Sequence, residues 1–370
     1  MQKITVENID ALKIGAGILG TGGGGDPYVG ALIVKLQLEK YGPVNLINVD
    51  ELTNGDVVVP VGFVGAPSVS IEQLESGDEF MYIFDEIQKY TGKRPTVIMP
   101  TEIGGANAFA PFYVAGKMGI PILDADSMGR AFPELQMVSF SLFDIAPQPA
   151  YLSDFKGNTA IIQARNNADN NLMIENLGRA ITVSMGSNAA LVLCTLTAKQ
   201  AKKTMLPNTV SYAIEIGESV INARKTNQDP IKAIIEKTGG AIIGSGVIED
   251  VDQKIESGFL RGTVTVVNGK NNETCSIEYQ NENLVLKKNG NIVATTPDLI
   301  VIVDSQTGAP IITEALKYGL RVSILIIPCD DMWKTKEGLA LVGPRYFGYD
   351  IDYKPFIPMI TLERDQKEIL

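Results

Sequence analysis

The 370-residue chain contains no histidine. Histidine is the commonest general base near neutral pH and a standard zinc ligand. Its absence removes Ser-His-Asp and Cys-His mechanisms and the usual zinc sites. Cysteine is scarce as well. Cys194, Cys275 and Cys329 stand far apart and without metal-ligand spacing. Cys194 lies in the apolar run LVLCTL and reads as core, and Cys329 follows ILIIP and reads as a loop thiol. Each is taken as structural, since free cysteine is usually a buried small hydrophobe. Positive charge is in deficit: 32 Lys and Arg face 43 Asp and Glu, for a net charge of −11. This argues against a nucleic-acid partner and against docking on anionic lipid. Long apolar runs are missing too. Leu299–Val303 and Ile324–Ile327 fall far short of the ~18–20 residues of a membrane span. The start, MQKITVENID, lacks the apolar centre of a signal peptide, so the chain is read as cytoplasmic. Chemistry in such a chain must use carboxylates, lysine, tyrosine, cysteine, backbone dipoles or a metal held by oxygen.

What is present is an ordinary globular composition, 45% hydrophobic and 20% charged, long enough for two or three domains. Ile9, Leu12, Ala16 and Leu19 fall at helical spacing, with Thr5 or Asn8 as a cap. A second helix starts near Pro27 and stops at Gly42-Pro43. VNLINV, VVVPVGF, PTVIMP and IPILDAD read as strands. Helices in SGDEFMYIFDEIQKYTG and GGANAFAPFYVAGKMG separate them, which predicts a mostly parallel α/β sheet over residues 1–165. Proline and polar residues in Phe143–Asn158 mark a boundary. After it TAIIQA reads as a strand, and over 166–370 so do AITVSMG, AALVLCTL, GTVTVVNG and LIVIVD, with a hairpin turn at Asn289-Gly290. This half is expected to be a β-rich barrel or sandwich carrying a helical insertion at about 197–240.

The segment KIGAGILGTGGGGDPYVG matches the dinucleotide pattern G-x-G-x-x-G twice, at Gly15-Gly17-Gly20 and Gly20-Gly22-Gly25. Such a fingerprint needs a strand before it and an unbroken helix after it. The first match would run its helix through four glycines and Asp-Pro, at roughly 1 kcal/mol per glycine. The second has no strand before it. A nucleotide site therefore fails on context. The run is expected to be a loop between two helices. The amides of Gly22, Gly23, Gly24 and Gly25 would approach a small anionic or polar ligand, beside Asp26.

Ligands of parallel sheets sit beyond the carboxyl ends of the strands. Three such ends are legible: Gly65-Ala66-Pro67-Ser68; Thr101-Glu102-Ile103-Gly104-Gly105-Ala106-Asn107; and Asp124-Ala125-Asp126, followed by Arg130 and Glu134. Carboxylates crowded in a partly dry site raise one another's pKa, and one can then serve as acid or base at neutral pH. Asp26, Glu102, Asp124 and Asp126 are the candidates for that role. Alternatively Glu102, Asp124 and Asp126 hold a divalent cation through oxygen, or Asp124 and Glu102 only cap helices. The aromatic segment Leu341–Phe356 carries Arg345, Asp350 and Asp352. It is expected either to pack back on the first domain or to supply Arg345 and tyrosines to a site between domains.

LGTGGGGDPYVG, MPTEIGGANAFAPFYVAGKMGIPILDADSMGRAFPELQM, GFLRGTV, PDLIVIVDSQTGAPIITEALKYGLRV and LVGPRYFGYDIDYKPF together resemble the S-methyl thiohydantoin desulfurase family, a hydantoinase-associated group. The resemblance spans nearly the whole chain. It implies an N-terminal three-layer α/β/α domain and a largely β C-terminal domain, and an association with hydantoinase- or oxoprolinase-type enzymes. It also implies cleavage of the C–S bond of an S-methylated thiohydantoin ring with release of methanethiol. No catalytic set comes with it, so the candidates remain those of the strand ends. Asp26, Glu102, Asp124 or Asp126 would be the base, the amides of Gly22–Gly25 and of Gly104 and Gly105 the donors, and Arg130 or Arg345 the neutralising charge. Asn107 would touch the ligand. No cofactor is required beyond a divalent metal, if one is held. The expected partners are a small cyclic amide or thioamide, a hydantoinase-type protein and further copies of the chain. A non-catalytic binding subunit of such an enzyme is the alternative reading.

Overall fold

The computed structural model describes residues 2–65, 75–165, 171–256 and 258–356. The expected strand end at Ala66-Pro67-Ser68 lies outside them. By contacts the chain forms two compact units, Met1–Ala16 with Gly24–Ile214, and Gly17–Gly23 with Glu215–Leu370.

In the first unit a short strand, β1 (Gln2–Ile4), precedes α1 (Val6–Leu19), α2 (Pro27–Tyr41), β2 (Val44–Ile47) and β3 (Val57–Gly65). Then come α3 (Asp78–Thr91), β4 (Val97–Pro100), a 3-10 turn (Gly105–Phe109), α4 (Ala110–Met118), β5 (Ile122–Leu123) and β6 (Ala125–Asp126). After these the chain forms β7 (Ala150–Ser153), β8 (Thr159–Ile162), α5 (Asn171–Ser184), β9 (Asn188–Val192), β10 (Leu196–Thr197), α6 (Ala198–Thr204), β11 (Leu206–Pro207) and α7 (Thr209–Lys225). The helix boundaries follow local chemistry. Asp26 caps α2 by accepting from the Tyr28 N–H, Pro27 sits in the first turn, and left-handed glycines end α3 at Gly92 and α4 at Gly119.

The sheet order is β1-β2-β5-β4-β3-β9-β7-β8, with β10 also on β3. Only β2, β5, β4 and β3 run parallel. β1, β7, β8, β9 and β10 are antiparallel. The sheet is therefore mixed rather than mostly parallel. The reason is visible at β7 and β8, which are joined by a tight turn in which Asp154 accepts from the Lys156 and Asn158 N–H groups. Strands joined by so short a turn must be antiparallel. A second difference is AITVSMG, read as a strand but helical through Ser184 in α5. Its β-branched run pointed to a strand, yet Ile174, Gly178 and Thr182 are buried at helical spacing.

In the second unit α8 (Pro230–Thr238) leads into β12 (Ala241–Glu256), β13 (Phe259–Val267), β14 (Thr274–Gln280), β15 (Glu282–Lys288), β16 (Asn291–Thr295), β17 (Leu299–Asp304), β18 (Arg321–Ile327) and α9 (Lys336–Val342). These strands form a curled antiparallel half-barrel, ordered β16-β15-β14-β13-β12-β18-β17. Its core holds Ile248, Val264, Ile277, Leu286, Ile300 and Ile324. The β15–β16 hairpin turns at Asn289-Gly290, both at positive φ, as a two-residue turn requires. α6 and the start of α7 fall in the first unit and α8 in the second. All three cysteines are buried and free. Among the described residues no helix is long and apolar enough to cross a membrane.

Candidate functional site

The ends of β4 and β6 are knitted together by backbone bonds. The Thr101 N–H donates to Val61 O (2.9 Å), and the Ser127 N–H and Oγ both donate to Thr101 O (3.1 and 2.5 Å). This brings Glu102 and Asp126 onto one buried face, 7% and 0% exposed. The Oδ2 of Asp126 accepts three backbone N–H groups, from Ile103 (2.9 Å), Met128 (3.2 Å) and Gly129 (2.8 Å). Its Oδ1 has no partner. Glu102 is built the same way: Oε1 accepts from Asn107 Nδ2 (2.7 Å), and Oε2 has no partner. The hydroxyls of Thr101, Ser139 and Thr209 are also buried without hydrogen-bond partners. Ser139 is tied to Ser127 O through its N–H (2.7 Å), and the Thr209 hydroxyl, though short of full hydrogen-bond geometry, is near enough to Asp126 to favour its charged form.

Burial pushes both carboxyls up, because the ionised form loses its water. Glu102 rises from 4.5 to about 8, with the charge of Asp126 adding to the rise and the Asn107 amide and Arg130 opposing it. Asp126 rises from 3.8 to about 7, against the pull of its three backbone donors. Arg130 is itself 1% exposed. It donates from Nε to Ala131 O (2.9 Å) and stacks over the Phe132 ring at 4.7 Å. The site thus pairs two carboxyls that change charge near neutral pH with one fixed cation.

The other candidates are placed differently. Asp124 is buried, but its Oδ1 accepts from the Ser211 N–H (3.0 Å) and its main-chain O from the Asn208 N–H (2.7 Å). It caps α7. Asp26 is exposed and caps α2. Arg345 is 58% exposed and pairs with Asp350 (2.8 Å) and Asp352 (2.7 Å) in the second unit. Among the described residues no group of three or more Cys, Asp and Glu side chains is arranged to hold a metal ion. Asp124 Oδ1 is engaged by the Ser211 N–H, apart from the unpartnered oxygens of Glu102 and Asp126.

The glycines serve close packing. Gly24 and Gly105 sit at φ +71° and +70°, and the Ala106 N–H donates to Gly24 O (2.8 Å). A Cβ on Gly24 would lie 2.5 Å from Gly104 O, and one on Gly105 would lie 2.3 Å from Gly24 O. Within the second unit, Thr21 O accepts from the Asn283 N–H and Gly22 O from the Thr313 N–H, both at 2.8 Å. The Gly23 N–H is engaged by Gly20 O (2.8 Å).

The hydroxyls of Ser139 and Thr209 were not legible in the sequence, because they come from segments far from either strand end. A cavity of about 450 Å³ elsewhere in the first unit is lined by residues including Asp144, Gln148, Gln163, Cys194 and Gln200. Burial raises the Cys194 thiol, so that cavity offers no thiolate near neutral pH.

Two family descriptions match the chain: S-Me-THD-like, N-terminal domain, over residues 7–164, and S-Me-THD-like, C-terminal domain, over residues 168–356. No curated protein matches. The crystal structure of a protein from Chromobacterium violaceum is similar at a TM-score of 0.81 and 20% identity, covering 96% of this chain and 100% of that one. At that identity the likeness is one of fold. With both domains matched over almost all of its length, the chain belongs to the S-Me-THD-like family, the S-methyl thiohydantoin desulfurase-like proteins.

Proposed function

We propose that this protein hydrolyses a small cyclic amide or thioamide of the S-methyl thiohydantoin class, with Glu102 and Asp126 as its acid and base. The observation that carries the reading is the matched pair of buried carboxyls, each with one oxygen engaged by the protein and the other left without a partner. An unsatisfied buried oxygen is costly, so two on neighbouring buried carboxyls are consistent with a place where a polar group or water is taken up. The three backbone donors on Asp126 favour its charge, whereas burial with fewer donors holds Glu102 in its protonated form.

In this reading water adds to the ring carbon bearing sulfur while Asp126 Oδ1 takes its proton. The tetrahedral adduct then collapses, the C–S bond breaks, and Glu102 Oε2 gives its proton to the departing methanethiolate. The products are the ring carbonyl compound and methanethiol, which balances one water consumed. Arg130 offsets the charge left on the carboxyl pair. Both carboxyls are closed to solvent, so the loops around them must part for substrate to reach them.

Glu102→Gln and Asp126→Asn test the reading. Methanethiol release from an S-methyl thiohydantoin should fall by about 10²-fold or more in each, with far-UV circular dichroism unchanged. Folded variants that turn over at the wild-type rate would remove the reading.

A further inference from the structure

We propose that Asn107 is a positioning residue that decides which oxygen of Glu102 carries the reacting proton; the proposal rests on the acid–base reading of Glu102 and Asp126. Asn107 lies in the 3-10 turn Gly105–Phe109, directly after the β4 end. The Phe63 N–H, on β3, donates to Asn107 Oδ1 at 2.7 Å. A backbone N–H can only donate, so this bond alone fixes which end of the amide is oxygen. The Phe63 O accepts from Asn107 Nδ2 at 3.2 Å, in agreement. Two backbone groups of one strand residue therefore hold the amide in a single orientation.

That orientation has a consequence for Glu102. Asn107 Nδ2 donates to Glu102 Oε1 at 2.7 Å. An oxygen that already faces an N–H cannot point its own proton the same way, so the proton of the neutral acid belongs on Oε2. Oε2 is buried and has no partner. The acid thus presents its single O–H where no protein acceptor stands, which is how a proton donor waits for a leaving group. With Asn107 turned over or absent, Oε1 loses its side-chain donor and keeps only the pull of the Phe132 backbone, so the preference for the proton on Oε2 weakens. The charged groups acting on Glu102 are Asp126, which raises its pKa, and Arg130, which lowers it; the Phe132 backbone also lowers it.

The test uses Asn107→Asp and Asn107→Ala beside Glu102→Gln. Asn107→Asp keeps an acceptor for the Phe63 N–H, loses the Nδ2 bonds to both Glu102 Oε1 and Phe63 O, and adds an acidic group that also favours neutral Glu102, so an unshifted limb in it counts against the proposal even if Asn107→Ala does not fold. Two readouts are needed: the pH profile of methanethiol release, and the infrared band of the protonated carboxyl that Glu102→Gln deletes. Removing a donor that favours the ionised form raises the pKa of Glu102. Glu102 must be protonated to act, so the high-pH limb should move upward by about one pH unit. The Glu102 band should change frequency and titrate higher. kcat should fall about 10- to 100-fold, with KM within about twofold. An unshifted limb and an unchanged Glu102 band in Asn107→Asp would overturn the proposal, even if kcat falls, because a merely structural role predicts that result. If Glu102→Gln is inactive while both Asn107 variants behave as wild type, the acid–base reading stands and this proposal fails. If Glu102→Gln turns over normally, both fall.

Discussion

Replacing Glu102 by glutamine should make the protein's stability respond to pH in a defined way, and no substrate is needed to see it. In the folded chain burial lifts Glu102 from 4.5 to about 8. In the unfolded chain it ionises near its ordinary value. Below the unfolded value both states are protonated and the burial carries no ionic penalty. Between the two values the folded state keeps a proton that the unfolded state has lost, so wild-type stability falls as pH rises. Above about pH 8 the penalty is complete. At ~1.4 kcal/mol per pH unit it comes to about 5 kcal/mol.

Glutamine keeps a carbonyl oxygen for the Asn107 amide and has no charge to bury. Its extra buried N–H costs about 1–3 kcal/mol, but that cost does not change with pH. The stability of Glu102→Gln relative to wild type should therefore climb by about 3–5 kcal/mol between pH 5 and pH 8. Urea unfolding followed by far-UV circular dichroism at several pH values reads this directly. A difference that stays constant across the range would mean that Glu102 ionises freely in the folded state, and the electrostatic account of the site would be wrong.

Two further outcomes follow from the surrounding structure. Asp124→Ala removes the carboxylate that accepts from the Ser211 N–H; it should lower stability by about 1 kcal/mol in denaturant titrations, while methanethiol release stays near wild type. Gly24→Ala puts a Cβ 2.5 Å from Gly104 O at φ +71°. It should cost about 2 kcal/mol or more, measured in the same way, because neither backbone can yield.

Much of this architecture was open to sequence reading where local chemistry decides it. Asp26-Pro27 starting a helix, Gly92 and Gly119 ending two others, and Asn289-Gly290 making a hairpin are all short-range events. What was missed depends on distant partners. β12 carries no clear pattern because the half containing Asp250–Glu256 is largely exposed, so its pairing with β13 and β18 decides it. α5 hides behind a β-branched run. At the strand ends, the sequence grouped Glu102 with both Asp124 and Asp126 and could not separate the two aspartates. Asp124 and Asp126 are two residues apart, yet one faces the start of α7 and the other a nest of three amides. That difference is made by Ser211 and by the turn at Met128 and Gly129. The role of Asn107 was equally out of reach, since it depends on Phe63, 44 residues away.

The central claim is that Glu102 and Asp126 share the work of acid and base, and the pH profile of methanethiol release tests it most directly. Asp126 must be ionised and Glu102 protonated, so the rate should rise through about pH 7 and fall through about pH 8. It should peak near pH ~7.5, where about 60% of molecules hold the single proton. Asp126→Asn and Glu102→Gln should abolish the profile altogether while remaining folded. A rate that is flat between pH 6 and pH 9, or a bell that survives either substitution, would contradict the account.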